Sequence, residues 1–171
     1  AGAREPCLRP GGAVRQEVLR VICVGVRRSQ ADGKLLTHPQ LGAEGAGALA
    51  LSLAATRVPA PAPLTEMVLT NCALTAAAAA PLAAAMRCGR VSGSLRVLKL
   101  DDNLALGDTG LEVLAKAPLP PSLEELFFMN TGCGDKGMAA VAAALPATRL
   151  TKLICGMNTP IGREGWAALA V

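Results

Sequence analysis

The chain has 171 residues, of which 51% are hydrophobic and 2% aromatic, and its formal net charge is +4. This length suits one domain with an ample core, and the lone histidine, His38, argues against catalysis by a Ser/His/Asp or Cys/His site. Six cysteines occur without a CxxC pair or a histidine at ligand spacing, so no metal is expected. The same cysteine usage favours reduced thiols in the cytoplasm, with the nucleus as the alternative.

The basic excess lies in the first 34 residues, where no aromatic side chains are interleaved with it. We interpret residues 1–18 as an N-terminal capping or flanking segment rather than a nucleic-acid site. Further along, the run TAAAAAPLAAAM contains Pro81 and is too short and too weakly hydrophobic to span a bilayer. Neither nucleic acid nor a membrane is therefore an expected partner.

A nine-residue pattern recurs along the chain, with its clearest copy in LRVLKLDDN, where leucines hold the first, fourth and sixth places and asparagine the ninth. In chain order the copies begin at Leu19, Leu64, Leu95, Leu123 and Leu150. The spacings between their starts are 45, 31, 28 and 27 residues. The last three spacings suit one strand, turn and helix each, whereas the first requires an insertion.

Glycine pairs and an apolar helical pattern follow four of the copies. The pairs, with two residues between their members, are Gly42 and Gly45, Gly107 and Gly110, Gly134 and Gly137, and Gly162 and Gly165. Asp108 and Asp135 come directly after the first glycine of their pair, where a carboxylate favours the start of a helix. A dinucleotide loop needs a third glycine and a P-loop needs a Lys followed by Ser or Thr, so no nucleotide or other cofactor is expected.

Together the LxxLxLxxN pattern, the glycine pair and the helix, in register over residues 19–171, resemble the leucine-rich repeats of the ribonuclease-inhibitor type. Such repeats also occur in the Ran GTPase-activating protein and in NOD-like receptors. The resemblance implies an α/β fold, a right-handed β/α solenoid of about five turns with a parallel β-sheet on the concave side and helices on the convex side. The turns would start near residues 19, 64, 95, 123 and 150, and we expect the domain to be truncated at its C-terminus because the chain stops within a helical pattern.

The ninth position is where each turn of such a solenoid leaves its strand, so its side chain points into the coil. Asn103, Asn158 and Cys72 hold this position, and we expect them to satisfy backbone groups of neighbouring turns. Arg27 and Thr131 stand there in two other copies, which predicts an imperfect ladder.

Positions 3, 5, 7 and 8 of each copy then face outward on the concave sheet, with Val68, Lys99, Phe127 and Ile154 in one row. The candidate partner-binding residues are Val68, Lys99, Asp101, Asp102, Glu125, Phe127, Met129, Ile154 and Met157. Phe127 stands out because the strand pattern does not require an aromatic at an exposed position, and exposed apolar clusters mark partner sites. Trp166, by contrast, follows Gly165 at the phase of a helix residue that packs against the core.

These observations favour a non-enzymatic module whose concave face binds another protein. Two alternatives stay open. One is a GTPase-activating protein, suggested only by fold analogy with the Ran regulator, and the other is a purely structural segment of a longer repeat array. The pattern leaves the identity of the partner and the oligomeric state undetermined.

Overall fold

The computed structural model of the protein describes residues 26–28, 34–37, 42–55 and 64–170. Short strands and helices alternate in this part of the chain. The strands are β1 (Val26–Arg28), β2 (Lys34–Thr37), β3 (Glu66–Val68), β4 (Val97–Lys99), β5 (Glu125–Phe127) and β6 (Lys152–Ile154). The helices are α1 (Gly42–Ala55), α2 (Ala76–Arg87), α3 (Gly89–Ser92), α4 (Gly107–Lys116), α5 (Asp135–Ala144) and α6 (Arg163–Ala168), with a 3-10 turn at Leu145–Ala147.

The described strands form one sheet in which the spatial order follows the chain order from β1 to β6. β1 pairs with β2 antiparallel, and every later pair from β2 to β6 is parallel. A helix lies between successive parallel strands, as such strands require. The predicted α/β class is therefore confirmed, together with a parallel sheet built from successive strand and helix units.

The core lies between the sheet and the helices. Met67, Leu98 and Leu126 are aligned at the centres of β3, β4 and β5, and each is buried between two half-buried neighbours. The alternation follows from the extended backbone, which sends successive side chains to opposite faces. The helices contact one another in chain order, in the pairs α1–α2, α2–α4, α4–α5 and α5–α6. The buried strand residues and the buried residues of the helices belong to one apolar cluster, so the apolar strand face points toward the helices.

Buried asparagines connect neighbouring units, as the sequence predicts. The Oδ1 atom of Asn103 accepts the N–H groups of Cys72 (3.1 Å) and Leu74 (2.9 Å) in the preceding unit. Its Nδ2 atom donates to the carbonyl oxygens of Leu69 (2.8 Å) and Leu100 (2.7 Å). One side chain therefore satisfies four backbone groups that the core would otherwise leave without partners.

Asn158 makes the same kind of contacts two units further along the chain. It accepts the N–H groups of Thr131 (2.8 Å) and Cys133 (3.2 Å) and donates to the carbonyl oxygen of Phe128 (2.8 Å). The hydroxyl of Thr131 donates to the carbonyl oxygen of Phe128 at 3.0 Å, within its own unit. Because a threonine is too short to span two units, the described hydrogen bonds of Thr131's side chain do not reach back to β4.

The carboxylates after the glycines act on a different helix from the one expected. The Oδ1 atom of Asp108 accepts the N–H groups of Gly134 (2.6 Å) and Gly137 (2.8 Å), at the start of α5 rather than of its own helix α4. A Cβ atom at Gly137 would lie 2.7 Å from Asp108 Oδ1, so the glycine leaves room for the carboxylate. The expectation that the aspartate caps its own helix was wrong, because the carboxylate reaches across to the next unit.

Asp135 makes the same contact with α6. Its Oδ1 atom accepts the N–H groups of Gly162 (2.7 Å) and Gly165 (2.8 Å), and a Cβ atom at Gly165 would lie 2.6 Å from that oxygen. Two of the four glycine pairs, Gly134 with Gly137 and Gly162 with Gly165, are thus explained by the carboxylate of the preceding unit.

The strand adjacent to β3 is β2, which pairs Leu35 with Met67. The sequence instead places the preceding turn at Leu19, which lies outside the described residues and stays a prediction. The boundary at residue 18, Cys23 and His38 also lie outside the described part of the chain.

Candidate protein-binding surface

One face of the sheet points away from the helices. Its side chains, which we call the open sheet face, are those of Glu66, Val68, Val97, Lys99, Glu125, Phe127, Lys152 and Ile154. The register places Val68, Lys99, Phe127 and Ile154 next to one another on four adjacent strands, as the spacing predicts. A short turn after each strand adds Asp101, Asp102, Met129 and Met157 at the carboxyl edge of this face.

Phe127 lies between two lysines on the open sheet face. Lys99 Nζ is 5.3 Å and Lys152 Nζ is 5.0 Å from the centroid of its ring. An ammonium group at this distance is attracted by the negative face of the ring, and its aliphatic stem covers apolar area. The ring is half-buried, with one ammonium group near it from each neighbouring strand.

Each of these lysines also faces a carboxylate. Lys99 Nζ lies 2.9 Å from Glu66 Oε1, and Lys152 Nζ lies 3.7 Å from Glu125 Oε2. The pair of Lys152 with Glu125 is largely exposed, and such pairs typically contribute about 0 to 1 kcal/mol, whereas the pair of Lys99 with Glu66 is partly buried. Their effect here is to hold both ammonium groups beside Phe127 and to neutralise the charge around it.

Asp101 and Asp102 differ from the other carboxylates of this surface. Asp101 Oδ1 accepts the N–H group of Met129 at 2.8 Å, and Asp102 Oδ1 accepts Asn130 Nδ2 at 3.0 Å. Within the described residues, no lysine or arginine forms an ion pair with either carboxylate. Each is therefore oriented through one oxygen while its negative charge is left without a paired cation.

A residue in the turn after each of the strands β3 to β6 has a left-handed backbone. The φ angles are 52° at Asn71, 58° at Asp102, 50° at Asn130 and 58° at Met157. Asparagine and aspartate tolerate this conformation, whereas methionine does so only with strain. Met157 is also 70% exposed, so no packing contact of the described chain explains why a methionine holds this position.

The candidate residues thus divide into three groups. Val68, Lys99, Glu125, Phe127 and Ile154 lie together on the strands. Asp101 and Asp102 form an acidic edge, and Met129 and Met157 lie in the turns that follow β5 and β6. The structure brings these residues to one side of the sheet, and their role in binding stays a prediction.

Sequence reasoning missed two residues of the open sheet face and wrongly placed one residue of the helical side in the core. Glu66 and Lys152 are the partners of Lys99 and Glu125, and their opposite charges at outward positions were the available signal. Trp166 was expected to pack against the core, but it is 49% exposed. The prediction was wrong because α5 covers only one side of α6, the last described helix, whereas the equivalent Met138 lies on a helix with neighbours on both sides.

Three further properties of the described residues concern metal ligation, membrane spanning and the buried thiols. They contain no group of three or more His, Cys, Asp or Glu side chains that could hold a metal ion. None of their helices has the length and apolar character needed to cross a bilayer. Burial raises the pKa of the Cys133 thiol to about 12, with smaller contributions from Asp108, Cys155 and Asp135, and it also raises the pKa of Cys155. Both thiols therefore stay protonated and are poor nucleophiles.

Comparison with known proteins gives no match, either to a protein family or to a curated protein.

Proposed function

We propose that the chain is a leucine-rich repeat protein of the ribonuclease-inhibitor type, a right-handed β/α solenoid of about five turns. We further propose that it binds another protein on the open sheet face and has no enzymatic activity. The repeat assignment is supported by the parallel register of the strands and by Asn103 and Asn158, each of which satisfies the equivalent backbone positions of the unit before its own.

The arrangement of Phe127 carries the binding proposal. Its ring lies at the middle of the row from Val68 to Ile154, on the side of the sheet that no described helix covers. The two lysines lie near the ring from the neighbouring strands. Because the ring is already half-buried, completing its burial would contribute roughly half of the 1.5 to 3 kcal/mol that full burial of a Phe side chain supplies. An aromatic side chain placed in this way is typical of an interface anchor.

Met157 supports the same proposal from a different observation. The strained, exposed methionine stands where preceding units have asparagine or aspartate, and a flexible thioether adapts to many partner surfaces. Strain of this kind tends to persist where function requires the side chain.

A second candidate role concerns the end of the sheet at β6. Cys155 and Ile161 are each 8% exposed and Leu153 is only half-buried, whereas Leu98 and Leu126 at the position of Leu153 are buried. This exposure of core positions favours a further packed unit against β6 and α6, in line with a segment of a longer array.

Affinity capture from native cell extract tests the binding proposal. The wild-type chain, Phe127→Ala and Trp166→Ala serve as parallel baits, because Trp166 is an exposed aromatic on the helical side. The proposal predicts a protein that the wild type and Trp166→Ala retain and that Phe127→Ala loses. Retention of the same proteins by all three baits would contradict it.

A further inference from the structure

The charges and apolar side chains of this surface define the chemistry of its partner. Two of its four carboxylates, Glu66 and Glu125, are paired with lysines, which leaves the charges of Asp101 and Asp102 uncompensated. Within the described residues of this surface, both charges that lack a paired cation are therefore negative, although the whole chain has a formal net charge of +4. At physiological ionic strength, charges act over about 8 Å, so a segment bound beside β4 and β5 experiences the carboxylates of Asp101 and Asp102 at short range.

The two carboxylates are held ready for a cation. Asp101 and Asp102 each use Oδ1 to accept a hydrogen bond from the following unit, at Met129 N–H and Asn130 Nδ2, respectively. Their Oδ2 atoms have no hydrogen-bond partner within the described residues. A guanidinium or ammonium group can therefore bind here without displacing a contact of the fold.

Apolar contacts lie beside this acidic edge. Phe127 is paired with Lys99, two residues before Asp101, and with Ile154, three residues before Met157. Met129 lies in the turn that follows Phe127. It is half-buried, and its N–H group donates to Asp101. Acidic and apolar groups thus adjoin on one surface a few residues wide.

We propose that the occupant of this surface is a cationic, amphipathic peptide segment of the partner protein. Its arginine or lysine side chains bind the Oδ2 atoms of Asp101 and Asp102, and an adjacent apolar side chain contacts Phe127 and Met157. The inference rests on the proposed function and adds the charge and polarity of the partner to it.

Selection from a displayed library of short random peptides tests this inference. The full chain is the target, and each enriched peptide is then synthesised and titrated against Phe127→Ala and against the double variant Asp101→Asn/Asp102→Asn. Asparagine keeps the Oδ1 acceptors that bond Met129 and Asn130, so the turn stays intact. The matched control is Glu112→Gln/Glu164→Gln, which removes two carboxylates from the helical side.

The inference predicts Phe127-dependent peptides in which arginine or lysine adjoins an apolar residue. Their dissociation constants should rise about tenfold in the aspartate double variant, as expected for two partly exposed charge pairs, and should change little in the control. Phe127-dependent peptides with no cationic residue, or with equal affinity for the aspartate variant, would overturn the inference and leave the proposed function standing. Recovery of no Phe127-dependent peptide would overturn both.

Discussion

Asp108 caps the helix of the next unit through Gly134, whose N–H group lies 2.6 Å from Asp108 Oδ1. The same oxygen accepts the N–H group of Gly137 at 2.8 Å. A helix start has backbone donors without intrahelical partners, and here a side chain from another unit supplies the acceptor. The contact therefore links the units on their helical side, as Asn103 does on their strand side.

Asp108→Ala should lower the free energy of unfolding by about 1 to 2 kcal/mol, because two N–H groups lose their acceptor. Urea denaturation measures the change. Glu112→Ala in the same helix is the control, since its pair with Lys116 is exposed and should contribute less than about 0.5 kcal/mol. Equal losses in the two variants would show that the cap contributes nothing beyond a surface charge.

Asn103→Ala should destabilise the fold by about 3 kcal/mol. The substitution leaves the N–H groups of Cys72 and Leu74 and the carbonyl of Leu69 without a partner in a site where Asn103 is 1% exposed. Asn130→Gly is the control, because it removes an asparagine from an exposed hydrogen bond and keeps the left-handed backbone. Chemical denaturation that gives the two variants similar midpoints would contradict the proposed importance of the buried ladder.

Alkylation should distinguish the cysteines of the described units. Cys72, Cys133 and Cys155 are buried, whereas Cys88 is half-buried. In the folded chain, mass mapping after iodoacetamide treatment should find Cys88 modified well before the other three, which should react only on unfolding. Early modification of Cys133 would mean that this part of the core opens readily.

The Cys133 thiol also predicts how stability depends on high pH. Its pKa is raised from an ordinary value of 9.0 to about 12 in the folded chain, chiefly by burial. The unfolded state then loses a proton first as pH rises, so this contribution is complete below about pH 9 and is lost between about pH 9 and 12. Cys133→Ala should flatten the decline of the unfolding free energy over that range, and an unchanged slope would contradict the shift.

Local spacing predicted the features that each unit contains within itself. The buried position of Leu98, the outward-facing position of Phe127 and the inward asparagine at Asn103 depend on where a residue falls in its own repeat. The contacts of Asp108 with Gly134 and of Lys152 with Phe127 depend on how far one unit is displaced from the next. That displacement has no local signal, which is why the capped helix was misidentified and the second lysine was missed.

Met157→Asn should stabilise the chain by about 0.5 to 1 kcal/mol and weaken partner binding. Asparagine relieves the strain at φ 58°, but it removes the exposed apolar side chain. Asn71→Met is the reciprocal control, because it places a methionine at φ 52° in an earlier unit and should destabilise by a similar amount. Thermal melts and binding titrations measure both effects, and stabilisation without loss of binding would remove Met157 from the site.

The most direct test of the proposed protein-binding face compares Phe127→Ala with Trp166→Ala in two measurements, the dissociation constant for the captured partner and the free energy of unfolding. Phe127→Ala should weaken binding by about tenfold or more, since 1.4 kcal/mol corresponds to a factor of ten, while stability falls by about 1 kcal/mol or less. Trp166→Ala should leave the dissociation constant unchanged. Unchanged binding by Phe127→Ala, or a loss of several kcal/mol of stability that accounts for weaker binding, would contradict the proposal that the open sheet face is the binding surface.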